Sequence, residues 1–159
     1  MKIIPYGIDS FSELRQHDYL YVDKTRLLYE LVRHKIPYFL SRPRRFGKTL
    51  TVSSLKAILE GRRELFKGLW IDSSDYDWQP YPVIHLSLAS LNTSSPEKVE
   101  EELLNEVKNI AAQKNITDIV ASSSSQYFKF LIQKLFTREQ ARVAILIDEY
   151  DAPILRRIS

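Results

Sequence analysis

The residues most able to do chemistry stand in one basic stretch, Ser41-Arg-Pro-Arg-Arg-Phe-Gly-Lys-Thr-Leu50. Gly47 permits close approach of the backbone to an oxyanion. Lys48 can place an ammonium between the outer phosphates of a nucleotide, and the Thr49 hydroxyl can ligate Mg²⁺. The usual phosphate-loop pattern is G-x-x-x-x-G-K-[ST], and here Arg42 stands where the first glycine belongs. Taken alone, a basic strand-to-helix turn that binds nothing would carry the same residues.

A second stretch narrows the choice. Arg142-Val-Ala-Ile-Leu-Ile-Asp-Glu-Tyr-Asp151 is five apolar residues in a row followed by acids. The run suits a parallel strand covered on both faces. Asp148 then emerges at the carboxyl end, where open α/β sheets place their ligands. An aspartate there can hold Mg²⁺ through water, and Glu149 can orient or deprotonate an attacking water.

The elements needed to position these groups are legible around them. Pro37-Tyr-Phe-Leu40 is expected as the strand that enters the loop. Lys48 to Glu60 is expected as the helix that leaves it, with Val52, Leu55, Ile58 and Leu59 buried and Gly61 as its stop. The amides and positive dipole end of that helix would face the phosphates. Earlier in the chain, Ser10-Phe-Ser-Glu13 fits a capping box. Tyr19 to Val22 is strand-like, and Asp23 is a plausible N-cap for a helix bearing Leu27, Leu28, Leu31 and Val32. A helical turn is expected over Arg62 to Phe66, then an irregular stretch from Asp72 to Gln79. Tyr81 to Leu88 is the second core strand. Pro96 opens a long helix with Val99, Leu103, Val107 and Ile110 on one face. A further helix carries Tyr127, Phe128, Leu131, Ile132 and Leu135. This alternation predicts an α/β three-layer sandwich with a parallel sheet.

With these stretches in hand, the chain resembles the amino-terminal part of the AAA-ATPase-like family, P-loop proteins that often carry a PD-(D/E)xK nuclease-like domain at their far end. The resemblance rests on Pro5-Tyr-Gly-Ile-Asp9, Tyr21-Val-Asp-Lys-Thr25, Arg42 to Thr49, Glu60-Gly61, Leu65 to Leu69, Tyr81 to Leu88, and Ile147 to Asp151. In that family the loop reads RPRRFGK[ST], so Arg42 is a family trait. The resemblance implies ATP rather than GTP, with Arg44, Arg45, Phe46, Gly47, Lys48, Thr49 and Leu50 as the nucleotide-binding set. Thr49 and Asp148 would position Mg²⁺, and Glu149 would be the catalytic base. Arg44 or Arg45 would neutralise phosphate charge or face a partner. Related ATPases place a box like Tyr21 to Thr25 near the adenine. A capped helix without ligand contact is the other reading, and both stay open here.

Residues 1 to 159 are expected to form the first part of such a domain with an incomplete core, because the family's later sheet strand does not follow Asp151. Hydrolysis is therefore expected only in the complete protein. A non-hydrolysing nucleotide-binding fragment, and a nucleic-acid-binding module using the arginine-rich loop, are the alternatives. Glu106-Val-Lys108 echoes part of a nuclease signature, but it lies mid-helix with no Pro-Asp before it.

Composition sets the outer limits. Lys and Arg number 23 against 20 Asp and Glu, giving a net charge of +3 and a pI near 9.0, too weak a surplus to demand nucleic acid. There is no cysteine, which excludes thiolate chemistry and fits a cytoplasmic setting. His17, His34 and His85 form no ligand pattern. No run reaches the ~18 apolar residues of a membrane helix, so no membrane partner is expected. Self-association and nucleic-acid contact through a longer protein are left open.

Overall fold

Three helices of this protein start at a serine. Ser10, Ser95 and Ser123 each turn a hydroxyl back to accept the N–H three residues on, from Glu13, Lys98 and Gln126. Each bond satisfies an amide that has no acceptor inside its helix. The resulting helices are α1 (Phe11–Gln16), α4 (Pro96–Gln113) and α5 (Ser124–Glu139). Between α1 and α4 lie α2 (Thr25–Arg33) and α3 (Lys48–Leu59). The computed structural model describes residues 2–41, 43, 46–92 and 94–152.

The chain divides into two units, one up to Pro80 and one from Tyr81. In the first, α1, α2 and α3 are followed by two 3-10 turns, Arg63–Phe66 and Trp70–Ser73. Its core gathers Phe11, Leu28, Ala57, Ile58, Leu65, Phe66 and Ile71. Phe11 lies 4.6 Å from Phe66 and 5.2 Å from Tyr21, centroid to centroid. On α3 the fully buried residues are Ser54, Ala57 and Ile58, with Leu50 and Leu55 packed beside them. The buried face is thus rotated from the expected stripe. Ser54 tolerates burial because its hydroxyl donates to Leu50 O at 2.8 Å.

The second unit places β1 (Val83–Ser87) and β2 (Ala144–Asp148) side by side, parallel, from Val83 opposite Ala144 to Ser87 opposite Asp148. Parallel neighbours require a long crossover, and α4 and α5 supply it. Ile84 and Leu86 meet Val107, Ile110, Ala111, Tyr127, Leu131 and Leu135 in one core.

Three expectations about strands are corrected. Pro37 to Leu40 forms no strand, and Phe39 is 72% exposed. A strand exists only through its ladder partners, and no strand is described in the first unit to pair with this run. Tyr19 to Val22 is extended but makes a single described ladder-like bond, Leu20 N–H to Ile3 O at 2.9 Å. On β2, Ile145 and Ile147 remain 41% and 49% exposed, so the strand is not covered on both faces by the described residues. The shown architecture is therefore a parallel two-stranded sheet with helices.

Two expected outcomes follow from this packing. Gly61 ends α3 at φ +72, with Arg62 N–H donating to Ala57 O and Gly61 N–H to Ile58 O. A Cβ there would stand 2.8 Å from Trp78 O. Gly61→Ala should cost about 1–3 kcal/mol, read as a lower denaturation midpoint; an unchanged midpoint would rule out this turn. At the start of α5, Ser124 N–H and its hydroxyl donate to Glu100 at 2.7 and 2.8 Å, and these two bonds hold that carboxyl below its ordinary range. The folded value is depressed, so the contribution is fully present above the ordinary carboxylate range. It is lost as pH falls through the lowered folded value. Glu100→Gln should flatten that part of the acid-side stability profile, and superimposable profiles would show that the bonds contribute nothing.

Candidate functional site

Helix α3 begins differently from the serine-capped helices. Its N-cap is Gly47, in the left-handed region at φ +73, and no side chain caps it. An added Cβ would meet nothing within 4 Å among the described residues. The helix proper starts at once, with Thr51 N–H donating to Gly47 O at 2.9 Å and the Thr51 hydroxyl to the same oxygen at 2.8 Å. The first-turn amides of a helix have no acceptor within it, and here they follow a residue without a side chain.

Lys48 and Thr49 are half-buried in that first turn. Phe46, before the glycine, is 62% exposed. Leu50 packs against the first unit's core, so only its backbone could face a ligand. Arg44 and Arg45, like Arg42, lie outside the described residues.

The acidic half-site belongs to the second unit. Asp148 closes β2 with only 5% of its surface exposed. Its Oδ1 accepts the Glu149 N–H at 2.9 Å, and its carbonyl accepts Leu88 N–H at 3.0 Å. Glu149 is left-handed at φ +53, a costly conformation for a residue with a side chain. The turn is closed by Ala152 N–H to Glu149 O at 3.0 Å. The reversal at Glu149 aims the next residues away from the strand direction. Two residues on, Asp151 Oδ1 is buried and has no hydrogen-bond partner among the described residues, an unusual state for a carboxylate oxygen. The sequence offers Asp151 as one more acid; its buried, unsatisfied oxygen is visible only in three dimensions.

In the box before α2, Asp23 is held by hydrogen bonds within the first unit. Burial of Asp23 works against its charged form. The N–H groups of Trp70 and Thr25 and the Thr25 hydroxyl outweigh it and hold the carboxyl below the ordinary range. The N-cap of α2 is Lys24, without a side-chain cap bond, and not Asp23 as expected; Asp23, one residue earlier, accepts Thr25 N–H at 2.8 Å. Its link to Trp70, 47 residues away, could not be read from local pattern.

The structure brings Gly47, Lys48, Thr49 and Leu50 together in one unit and Asp148, Glu149 and Asp151 in the other. Among the described residues, no three His, Cys, Asp or Glu side chains gather into a metal cage, and no helix is long and apolar enough to cross a membrane.

Comparison with known proteins bears on the whole chain. The family model described as "Predicted AAA-ATPase" matches residues 5–159. A protein of Azotobacter chroococcum mcd 1, described as "Uncharacterized protein in vnfD 5'region", is 34% identical over 160 residues, covering 99% of this chain and 31% of that protein. The chain thus spans about a third of the length of this curated relative. No solved structure matches it.

Proposed function

Because the chain belongs to the AAA-ATPase-like family, we propose that it binds ATP with Mg²⁺, and that the complete protein hydrolyses it. Family membership by itself points to nucleotide binding. The observation that carries the finer reading is the start of α3: a left-handed glycine without a side-chain cap, followed directly by Lys48 and Thr49. Phosphate oxygens would take the place that a serine hydroxyl takes at α1, α4 and α5.

In this reading the amides after Gly47 and the Lys48 ammonium hold the β- and γ-phosphates. Thr49 and Asp148 would hold Mg²⁺; both offer the hard oxygen donors this ion accepts beside phosphate and water. Bound there, the ion would neutralise phosphate charge. The depth of Asp148 supports the assignment, since a buried carboxylate calls for a cation or several donors. Glu149 takes the proton of the attacking water. The three-layer P-loop arrangement, with residues 1–159 contributing its amino-terminal part, belongs to the same proposal, as does any activity of the complete protein.

Lys48→Ala should weaken Mg-ATP binding on the order of ten- to a hundredfold, the worth of one charged hydrogen bond. Equal affinities by titration calorimetry would place the site elsewhere. Glu149→Gln, made in the longest form of the protein, should keep ATP binding and suppress phosphate release, because a carboxamide keeps the shape without acting as a base. ATP binding with no phosphate release in the unmutated long form would leave a nucleotide-binding protein that does not hydrolyse. Undiminished release in Glu149→Gln would remove Glu149 from its role.

A further inference from the structure

Residues 23–25 and 70–71 meet across most of the first unit. Trp70 N–H donates to Asp23 Oδ2 at 2.7 Å. Thr25 donates to Asp23 Oδ1 twice, from its N–H at 2.8 Å and its hydroxyl at 2.7 Å. The same hydroxyl accepts Ile71 N–H at 3.1 Å. The first two amides of the turn Trp70–Ser73 are thus closed by a carboxylate and a hydroxyl from the start of α2. Both Thr25 and Ile71 are completely buried. Around them, Tyr29 meets the Trp70 ring edge-on at 5.6 Å, and the Arg26 guanidinium lies 5.9 Å over that ring.

This junction has a topological consequence. Everything between its two ends, namely α2, the stretch through Gly47, and α3, lies inside a closed segment of chain. A crosslink of this kind limits the freedom of whatever it encloses, because the ends can no longer move apart. The same bonds occupy most of Asp23: three donors meet a carboxylate with about four acceptor positions, and turning the carboxylate toward a base would strip the Trp70 and Thr25 amides of their partner.

We propose that Asp23 and Thr25 form an intramolecular clasp that positions the phosphate-binding segment, and that Asp23 is not itself a ligand of the nucleotide. The clasp stands on geometry alone; its positioning role rests on the nucleotide reading given above. Asp23→Asn separates the possibilities, because asparagine keeps one oxygen for Thr25 but presents an amino group, not an acceptor, to Trp70 N–H. Thr25→Val removes the hydroxyl and leaves the Asp23 carboxylate in place. Thr25→Ser keeps the hydroxyl.

The test is backbone amide exchange at Trp70 and Ile71, followed by NMR in the full 159-residue chain, with Mg-ATP titration of the same proteins. Asp23→Asn should speed exchange at Trp70, and Thr25→Val at Ile71, by about tenfold or more, while Thr25→Ser stays near the unmutated rate. Asp23→Asn and Thr25→Val should both weaken Mg-ATP binding, and Thr25→Ser should restore it. Unchanged exchange at Trp70 in Asp23→Asn overturns the clasp. Protected amides with affinity lost in Asp23→Asn alone would make Asp23 a ligand and overturn the proposal in the other direction. Faster exchange in both variants with undiminished affinity overturns the positioning role. If the unmutated chain binds no Mg-ATP, the nucleotide reading falls with the positioning role, and the exchange rates still decide the clasp.

Discussion

Every helix start leaves backbone amides that must find an acceptor, and the way this protein meets that requirement organises the molecule. Serine hydroxyls meet it at α1, α4 and α5. Glu100 adds a second acceptor at α5, reaching across from α4 to Ser124. Asp23 and Thr25 meet it for α2 and for the turn Trp70–Ser73 together. At α3 alone among these α-helices is the N-cap a glycine, with no side chain to offer. A glycine N-cap costs stability relative to a serine by roughly a few tenths of a kcal/mol. It also leaves the first-turn amides of α3 without a side-chain cap.

How much of this was legible in the sequence depends on the range of the interaction concerned. The serine start at Ser10, Pro96 at the head of α4 and the glycine stop at Gly61 are local matters, and their residues announce them. The two described strands were legible as well, because short apolar runs bounded by polar turns leave few alternatives. Pro37 to Leu40 has the same apolar character and does not become a strand. The difference lies in strand pairing: Val83–Ser87 has Ala144–Asp148 beside it in register, and no strand is described in the unit of the earlier run. Composition sets the propensity for a strand, and hydrogen-bonding neighbours decide whether it forms. The exposure of Ile145 and Ile147 has a related cause, since covering a face takes elements elsewhere in the chain.

The site divides along the same line. Gly47, Lys48 and Thr49 were singled out because a phosphate loop is a local device built from consecutive residues, and the structure sets them together at the start of α3. The role of Asp23 was not legible, since the local pattern allowed both a helix cap and a ligand contact. Its partner at Trp70 and the link from Thr25 to Ile71 lie far along the chain, beyond the reach of local pattern.

The acidic turn shows a third case, in which residue types are legible and their conformation is not. Nothing in Asp148-Glu149-Tyr150-Asp151 announces that Glu149 is left-handed. The conformation is costly for a glutamate, and the local bonds that accompany it are Asp148 Oδ1 to Glu149 N–H and Glu149 O to Ala152 N–H. Had the strand simply run on, consecutive side chains would alternate between its faces. The reversal breaks that alternation directly after the buried Asp148. The molecule thus carries a strained glutamate, a buried aspartate and an Asp151 oxygen without a described partner within four residues. Residue types alone announce none of the three, because each is set by backbone conformation and by which described donors come within reach.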